Sequence, residues 1–469
     1  MRVALVHDWL TGMRGGEKVL DAICELFPDA PLYTLVWVPG TVSPRIERRR
    51  ITTSIAQRLP NPGRFYRHYL PFYPLAVELL DLDDYDLILS SSHCAVKSIV
   101  RTGRAAHVCY CHSPMRYAWD QFGAYFGPDQ VGPAASRLLR PVMRRLARWD
   151  SSTAGRVDRF LANSQYVAGR IGRYYNRRST IVYPPVDTDF YNPAGRASSP
   201  AFLIVSALVP YKRVDLAIEA CRRAGVPLKI VGTGPERPRL EAMSSPDVEF
   251  LGWQSDDEIR TLYRSAAATL LPGVEDFGIV PVEAQACGCP VVALDAGGAR
   301  ETVVDGVTGL LVKDGTADAF ADALSHTLAT AFDEQAIRAN ALRFSRAQFL
   351  ASFRAAVDEA VAGRWSGDPN RDCTAPRMPQ WSLQAACEDE TQPAARMPPS
   401  SQQAAREDKK SLPPPQQQAA REDQANPAAR MPPLSQQAAR EDKEDETNHA
   451  ASWPPAQQQA AREDKEDKK

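Results

Sequence analysis

The chain has 469 residues and a formal charge of −1, room for two to four domains at roughly 100–200 residues each. The near-zero charge hides three segments: 25 Lys and Arg against 17 Asp and Glu over residues 1–195, 17 against 23 over 196–370, and 14 against 17 over 371–469. No segment stands out as the strongly basic domain of a nucleic-acid binder. No stretch approaches the ~18 apolar residues of a membrane-spanning helix, and the short apolar run at the start does not read as a signal peptide.

In chain order, an apolar strand over 3–6 ends at His7-Asp8 and leads into a loop with Gly12, Gly15 and Gly16. Val19, Leu20, Ile23 and Leu26 then recur with helical spacing over 17–27, so strand, glycine-rich loop and helix open a Rossmann-like unit. Further strands are predicted over 32–36, 85–90, 106–110, 160–162 and 180–183. Asn163-Ser164 is the N-cap signal of a helix over 165–174. The alternation restarts with strands over 202–208, 228–231, 248–251, 268–271 and 291–294, helices over 214–224 and 257–265, and a helical stretch over 336–361. Two such series, parted by a proline-rich break over 184–200, predict an α/β chain of two doubly wound domains, each with a parallel sheet covered on both faces. The expected division is 1–190, 200–345, a closing helix over 346–365 and a tail over 366–469. The cleft between the two domains is the expected ligand site, because strand C-terminal ends and helix N-termini face it.

The last 99 residues contain no Val, Ile, Phe or Tyr, but 13 Pro and 14 Gln. Such a segment cannot bury enough apolar surface to offset its ordering entropy and is expected to be disordered. Gln-Gln-Ala-Ala-Arg-Glu-Asp recurs there from 402, 417, 436 and 458, without the fixed period of a solenoid. Low-complexity linker is one reading, a segment that folds on a partner the other. Nine scattered cysteines in a large chain fit reduced thiols in the cytoplasm. Cys109 with Cys111, and Cys287 with Cys289, lack the usual two-residue gap of zinc pairs and read as small buried thiols rather than metal ligands.

The most informative stretch runs from Gly273 to Pro290. Pro281 fits the first turn of a helix, so the loop at Phe277, Gly278 and Ile279 would present amides at a helix N-terminus, a ready site for phosphate. Glu275 and Glu283 flank it. They read either as acceptors for sugar and ribose hydroxyls, or as solvated glutamates favoured by the helix dipole.

Glu275 and Glu283 are separated by seven residues within Glu-Asp-Phe-Gly-Ile-Val-Pro-Val-Glu-Ala. This resembles the paired-glutamate signature of family 4 glycosyltransferases, retaining enzymes of the GT-B fold. Leu208-Val-Pro-Tyr-Lys212-Arg-Val-Asp, Ile230-Val-Gly232-Thr-Gly234-Pro, Phe250-Leu-Gly252, Gly297-Gly298-Ala-Arg-Glu301 and Gly306-Val-Thr-Gly309 follow the family's order. The resemblance covers about residues 1–360. It implies that Glu283 holds the ribose of a nucleotide-sugar, that Glu275 contacts donor-sugar hydroxyls, and that the amides of Phe277, Gly278 and Ile279 face sugar and diphosphate. Lys212 would meet the diphosphate, Gly15 and Gly16 would let backbone approach the same ligand, and His112 would be the cleft histidine near the reacting sugar. The resemblance thus makes His112, Lys212 and Glu275 the catalytic group. His7, Asp8, Arg116 and Asp120 are the expected acceptor contacts.

Where the family commonly has Gly-Arg five residues before the lysine, this chain has Ser206-Ala207, which leaves Arg213 as the replacement phosphate contact. The variant is similar to bacterial O-antigen mannosyltransferases and makes GDP-mannose the expected donor, with no metal and no cofactor. Arg137, Arg140, Arg144, Arg145 and Arg148 share a helical stretch, and Arg45 with Arg48–Arg50 forms a second basic cluster. Both read either as solvated faces or as contacts to anionic lipid. The expected activity is transfer of a sugar to a glycan or lipid-linked acceptor in surface-polysaccharide synthesis, by a cytoplasmic protein peripheral to the membrane. The alternatives are a GT-B transferase with a soluble acceptor, a non-catalytic sugar-nucleotide sensor, and an NAD(P) oxidoreductase. Gly232-Thr-Gly234 lacks the third glycine that the last would need.

Overall fold

The first strand shows why a parallel sheet forms. In Val3–Leu10 (β1) every residue from Ala4 to Leu10 is buried, polar His7 and Asp8 included, the pattern of a strand covered by helices on both faces. The computed structural model describes residues 1–365 apart from Thr102 and Ser198. The expected tail and its repeats lie outside the described residues.

Leu32–Trp37 (β2), Ile51–Thr53 (β3), Leu87–Ser92 (β4), Ala106–Cys111 (β5), Arg159–Ala162 (β6) and Ser179–Ile181 (β7) join β1 in a sheet of order β3-β2-β1-β4-β5-β6-β7. Phe202–Val205 (β8), Leu228–Val231 (β9), Val248–Gly252 (β10), Thr269–Leu271 (β11), Val291–Leu294 (β12) and Gly309–Val312 (β13) form a second sheet of order β10-β9-β8-β11-β12-β13. All pairings between neighbouring strands are parallel. In both sheets the first strand of the lobe is central and the order reverses beside it, the doubly wound arrangement whose ligand crevice lies at the strand C-terminal ends.

The boundaries differ from the expected ones for local reasons. β1 continues to Leu10, in register from His7 with Thr34 to Leu10 with Trp37. Its polar residues are held inside the fold, so they do not end it. β3 and β13 are short and only partly buried, and β13 has just three apolar side chains behind a glycine, so neither carries a strong strand pattern. The helical stretch over 336–361 is two helices, Glu334–Leu342 and Arg346–Trp365. The linker causes the break: Val186 N donates to Phe344 O at 2.9 Å, and Arg346 N donates back to Val186 O at 3.1 Å.

The last helix returns to the first lobe. Phe349, Phe353, Ala356, Val357 and Ala360 share a core with Leu5, Leu20, Val108 and Tyr110, and Arg346 pairs with Asp21 at 2.7 Å and Glu25 at 2.8 Å. Each buried phenylalanine contributes about 1.5–3 kcal/mol to that attachment. The seven cysteines among the described residues are free and buried. Burial pushes the Cys109 and Cys287 thiols up to about 12, far from the thiolate a metal needs. Among the described residues no helix is long and apolar enough to cross a membrane.

Candidate active site

In the first lobe, β1, β4 and β5 end side by side and bring His7, Ser91 and His112 together. Ser91 Oγ lies 3.1 Å from His7 Nδ1 and 2.8 Å from His112 Nε2. The helix Gly15–Leu26 starts against this cluster: a Cβ on Gly16 would sit 3.6 Å from His7 Cε1 and 3.8 Å from His112 Nε2. Burial, together with the neighbouring His93 and His7, holds the His112 ring well below the usual imidazole range, so it is neutral near pH 7. Glu17 Oε1 lies 3.9 Å from His7 Nε2. Burial opposes the Glu17 charge, but the His7 ring and the nearby His93 bring the carboxyl below its ordinary value.

In the second lobe the loop after β11 carries Glu275, and its neighbour loop after β8 carries Lys212. Their side chains form an ion pair. Gly273 permits it, because a Cβ there would lie 2.9 Å from Lys212 Cα, closer than packing allows. Gly278, at φ 86°, turns the chain into the helix Ile279–Ala286, a left-handed position that favours glycine. The first-turn amides of that helix have no intrahelical acceptors. Phe277 contributes only its backbone to such a site. Its ring is buried against Tyr183 and Phe344, 5.7 and 5.4 Å away.

The two lobes meet at these points. A Cβ on Gly15 would lie 3.0 Å from Ile279 Cδ1, so the N-terminus of the first helix faces that of Ile279–Ala286. Lys18 Nζ reaches Glu283 Oε1 at 3.2 Å, and Tyr263 OH donates to Glu283 Oε2 at 3.3 Å. Burial raises the Glu283 carboxyl, and Lys18 only partly offsets that. Arg116 Nε donates to Asp276 Oδ2 at 2.8 Å, and Ser164 Oγ donates to Asp276 O at 2.6 Å. Glu301 accepts from the amides of Gln165 and Tyr166 at 2.8 and 3.2 Å.

Three of the expected contacts are engaged by partners within their own lobes. Asp8 is fully buried. Its two oxygens accept the amides of His93, Cys94, Ala95 and Val96 at 2.7–3.0 Å, so it shapes the loop after β4 and has no oxygen left for an acceptor. Asp120 is bound within its own lobe by Arg170 at 2.6 Å and Tyr174 OH at 3.2 Å. Arg213, at φ 52°, pairs with Asp215 at 3.3 Å. Arg116, 6.0 Å from the Tyr211 ring, lies in the field of Asp276 and Glu275. His7 is also fully buried and is linked to His112 through Ser91.

Lys18 and Asp276 were missed although each adjoins a singled-out motif, Lys18 two residues after Gly16 and Asp276 next to Glu275. Ser91 carried no such signal.

Residues 13–190 match the family model for Glycosyltransferase Family 4, and residues 189–343 match that for Glycosyl transferases group 1. Together these two glycosyltransferase models span residues 13–343. D-inositol 3-phosphate glycosyltransferases of Mycobacterium bovis and Mycobacterium tuberculosis are 33% identical over 200 residues. That match spans 37% of this chain and 41% of those proteins' length. Anabaena HepE in complex with UDP is 22% identical with a TM-score of 0.57, over 76% of this chain and 100% of that one. The lipopolysaccharide outer core galactosyltransferase WaaB is 18% identical with a TM-score of 0.55, over 76% and 99%. These neighbours share the GT-B fold, two Rossmann-like lobes facing across a cleft.

Proposed function

We propose that the protein is a retaining glycosyltransferase that moves a hexose from a nucleoside-diphosphate sugar to a glycan or lipid-linked acceptor. One observation carries the reading. Two helix N-termini, at Gly15 and at Ile279, face each other across the cleft, with Lys212 and the carboxylates Glu275 and Glu283 around them. Amides and a lysine suit a diphosphate, and carboxylates suit the hydroxyls on either side of it.

On this reading Glu283 accepts from the ribose, and Glu275 accepts from the donor sugar while pairing with Lys212. Lys212 and the helix-terminal amides of 277–279 meet the charge that grows on the leaving diphosphate, so the reaction requires no metal cofactor. The acceptor hydroxyl enters on the face the diphosphate leaves, and the departing phosphate takes its proton. This retains the anomeric configuration. Neutral His112 lies beside the Gly16 helix start and serves as a hydrogen-bond partner of the reacting sugar. The UDP and UDP-glucose complexes of the HepE neighbour support a nucleotide-sugar donor. The O-antigen resemblance favours GDP-mannose.

The surface supports a lipid-linked acceptor. The helix Pro133–Ser152 turns Arg137, Arg145 and Arg148 outward with Leu138, which is 73% exposed. Trp149 joins it to Tyr73–Glu78, a helix that exposes Leu75 and is flanked by exposed Phe72 and Leu79. Cations beside exposed apolar groups suit an anionic bilayer surface. The Arg45 and Arg48–Arg50 cluster adds less. Arg45 pairs with Asp21, and Arg49 donates to the carbonyls of Phe27 and Ala30, along a groove of about 1280 Å³.

A panel of GDP- and UDP-sugars with lipid-linked and soluble acceptors tests the reading. It predicts nucleoside-diphosphate release with at least one donor, retained anomeric configuration by proton NMR, and no loss on adding EDTA. An inverted product contradicts the mechanism. Absence of co-flotation with anionic liposomes at low salt contradicts the membrane contact.

A further inference from the structure

Two histidines that share one serine hydroxyl are not independent. Ser91 has a single proton and sits between His7 Nδ1 at 3.1 Å and His112 Nε2 at 2.8 Å. It can donate to one ring only, and it must accept from the other for both contacts to be hydrogen bonds. The far side of His7 decides which. His7 Nε2 is buried and has no hydrogen-bond partner, and the nearest charged group is Glu17 Oε1, 3.9 Å away. Glu17 is buried and is itself held by Arg14 N at 3.0 Å. A proton on His7 Nε2 faces this carboxylate, whereas a lone pair there would meet it repulsively. In the neutral His7 ring Nδ1 is then the bare nitrogen, so Ser91 donates to it and accepts from His112 Nε2–H.

We infer that Ser91 is a positioning residue that fixes His112 in the Nε2–H tautomer, leaving Nδ1 bare. His112 is the partly exposed member of the pair, and its carbonyl is fixed by Asn163 Nδ2 at 3.0 Å, so tautomer and backbone are set from opposite sides. A bare Nδ1 accepts a hydrogen bond from a hydroxyl and repels a carbonyl or phosphate oxygen. The sugar group it takes is therefore a hydroxyl donor. The other groups around the cluster leave this order intact. His93, whose ring centroid is 5.8 Å from that of His7 and 6.2 Å from that of His112, is engaged by Asp8 at 3.4 Å. Tyr110 meets the His112 ring edge-on at 5.1 Å and donates its hydroxyl to Val182 O at 3.0 Å. Arg14 donates to Tyr66 OH at 3.3 Å. Lys18 is drawn to Glu283.

The consequence for turnover rests on the catalytic reading of His112, but the tautomer itself does not. Long-range proton–nitrogen spectra of the full chain labelled with ¹⁵N-histidine report it directly, with His112→Gln identifying the signal. The expected wild-type pattern is a protonated Nε2. Ser91→Ala gives a mixture of tautomers, and Ser91→Thr, which keeps the hydroxyl, restores the single form. In the donor assay Ser91→Ala lowers kcat about tenfold, the scale of one orienting hydrogen bond lost, with KM for the nucleotide-sugar unchanged. Ser91→Thr recovers most of it. A wild-type His112 protonated on Nδ1, or a Ser91→Ala spectrum identical to wild type, overturns the inference. Full turnover by His112→Gln instead overturns the catalytic role of His112 and leaves the tautomer assignment standing.

Discussion

Replacing Lys18 by methionine tests whether the lobes close on Glu283 as described. Lys18 Nζ and Glu283 Oε1 are 3.2 Å apart. At an effective dielectric of about 20 the attraction is about 5 kcal/mol. The Lys18 side chain is 35% exposed and that of Glu283 8%, so solvent screening and the cost of holding the lysine reduce this to a net of about 1–2 kcal/mol. A double-mutant cycle of Lys18→Met with Glu283→Gln, followed by thermal unfolding at pH 7, isolates that coupling. Its pH dependence has a fixed sign. Burial raises the Glu283 carboxyl above its ordinary value, so its contribution to stability is present below the ordinary carboxylate range and is lost as pH rises through the Glu283 value. Removing Lys18 raises that value further and leaves a buried carboxylate with one hydrogen bond, from Tyr263. Lys18→Met therefore loses more stability relative to wild type at pH 8 than at pH 5. A coupling below about 0.3 kcal/mol, within the error of additivity, refutes the closed contact.

Lys97 is buried with Asp150 at 3.0 Å, and Asp150 also accepts from Trp119 Nε1 and Tyr175 OH, both at 2.8 Å. Lys97→Met strands that carboxylate and is expected to cost about 3–5 kcal/mol in thermal unfolding, with partial recovery in the double variant with Asp150→Asn. A chain ending at residue 365 keeps the core-forming clusters described above and is expected to retain the melting temperature and turnover of the full chain. Its seven buried cysteines are expected to resist a thiol reagent at pH 7 until the protein is denatured.

The two doubly wound sheets were legible because parallel strands are apolar on both faces and their helices carry stripes. Val19, Leu20 and Ile23, for example, are all buried. The Ser164 cap was equally local: its hydroxyl accepts from Val167 N at 3.0 Å. What escaped the sequence depends on distant partners. Asp8 looks like a cleft carboxylate at the end of a strand, and only the fold delivers four amides from the loop after β4 to it. Ser91 is one of three consecutive serines, and its place between two histidines arises from strand register: His7 pairs with Ser91 across β1 and β4. Lys18 and Glu283 are 265 residues apart, and no periodicity predicts a contact between lobes.

The central claim is that the Lys212–Glu275 pair lies at the site of sugar transfer. Nucleoside-diphosphate release with the best donor, measured for wild type, Lys212→Ala and Glu275→Ala, tests it most directly. Loss of one group aimed at the transition state is expected to lower kcat about 10²–10³-fold, with circular dichroism and melting behaviour preserved. Turnover close to wild type in folded Lys212→Ala and Glu275→Ala contradicts the account.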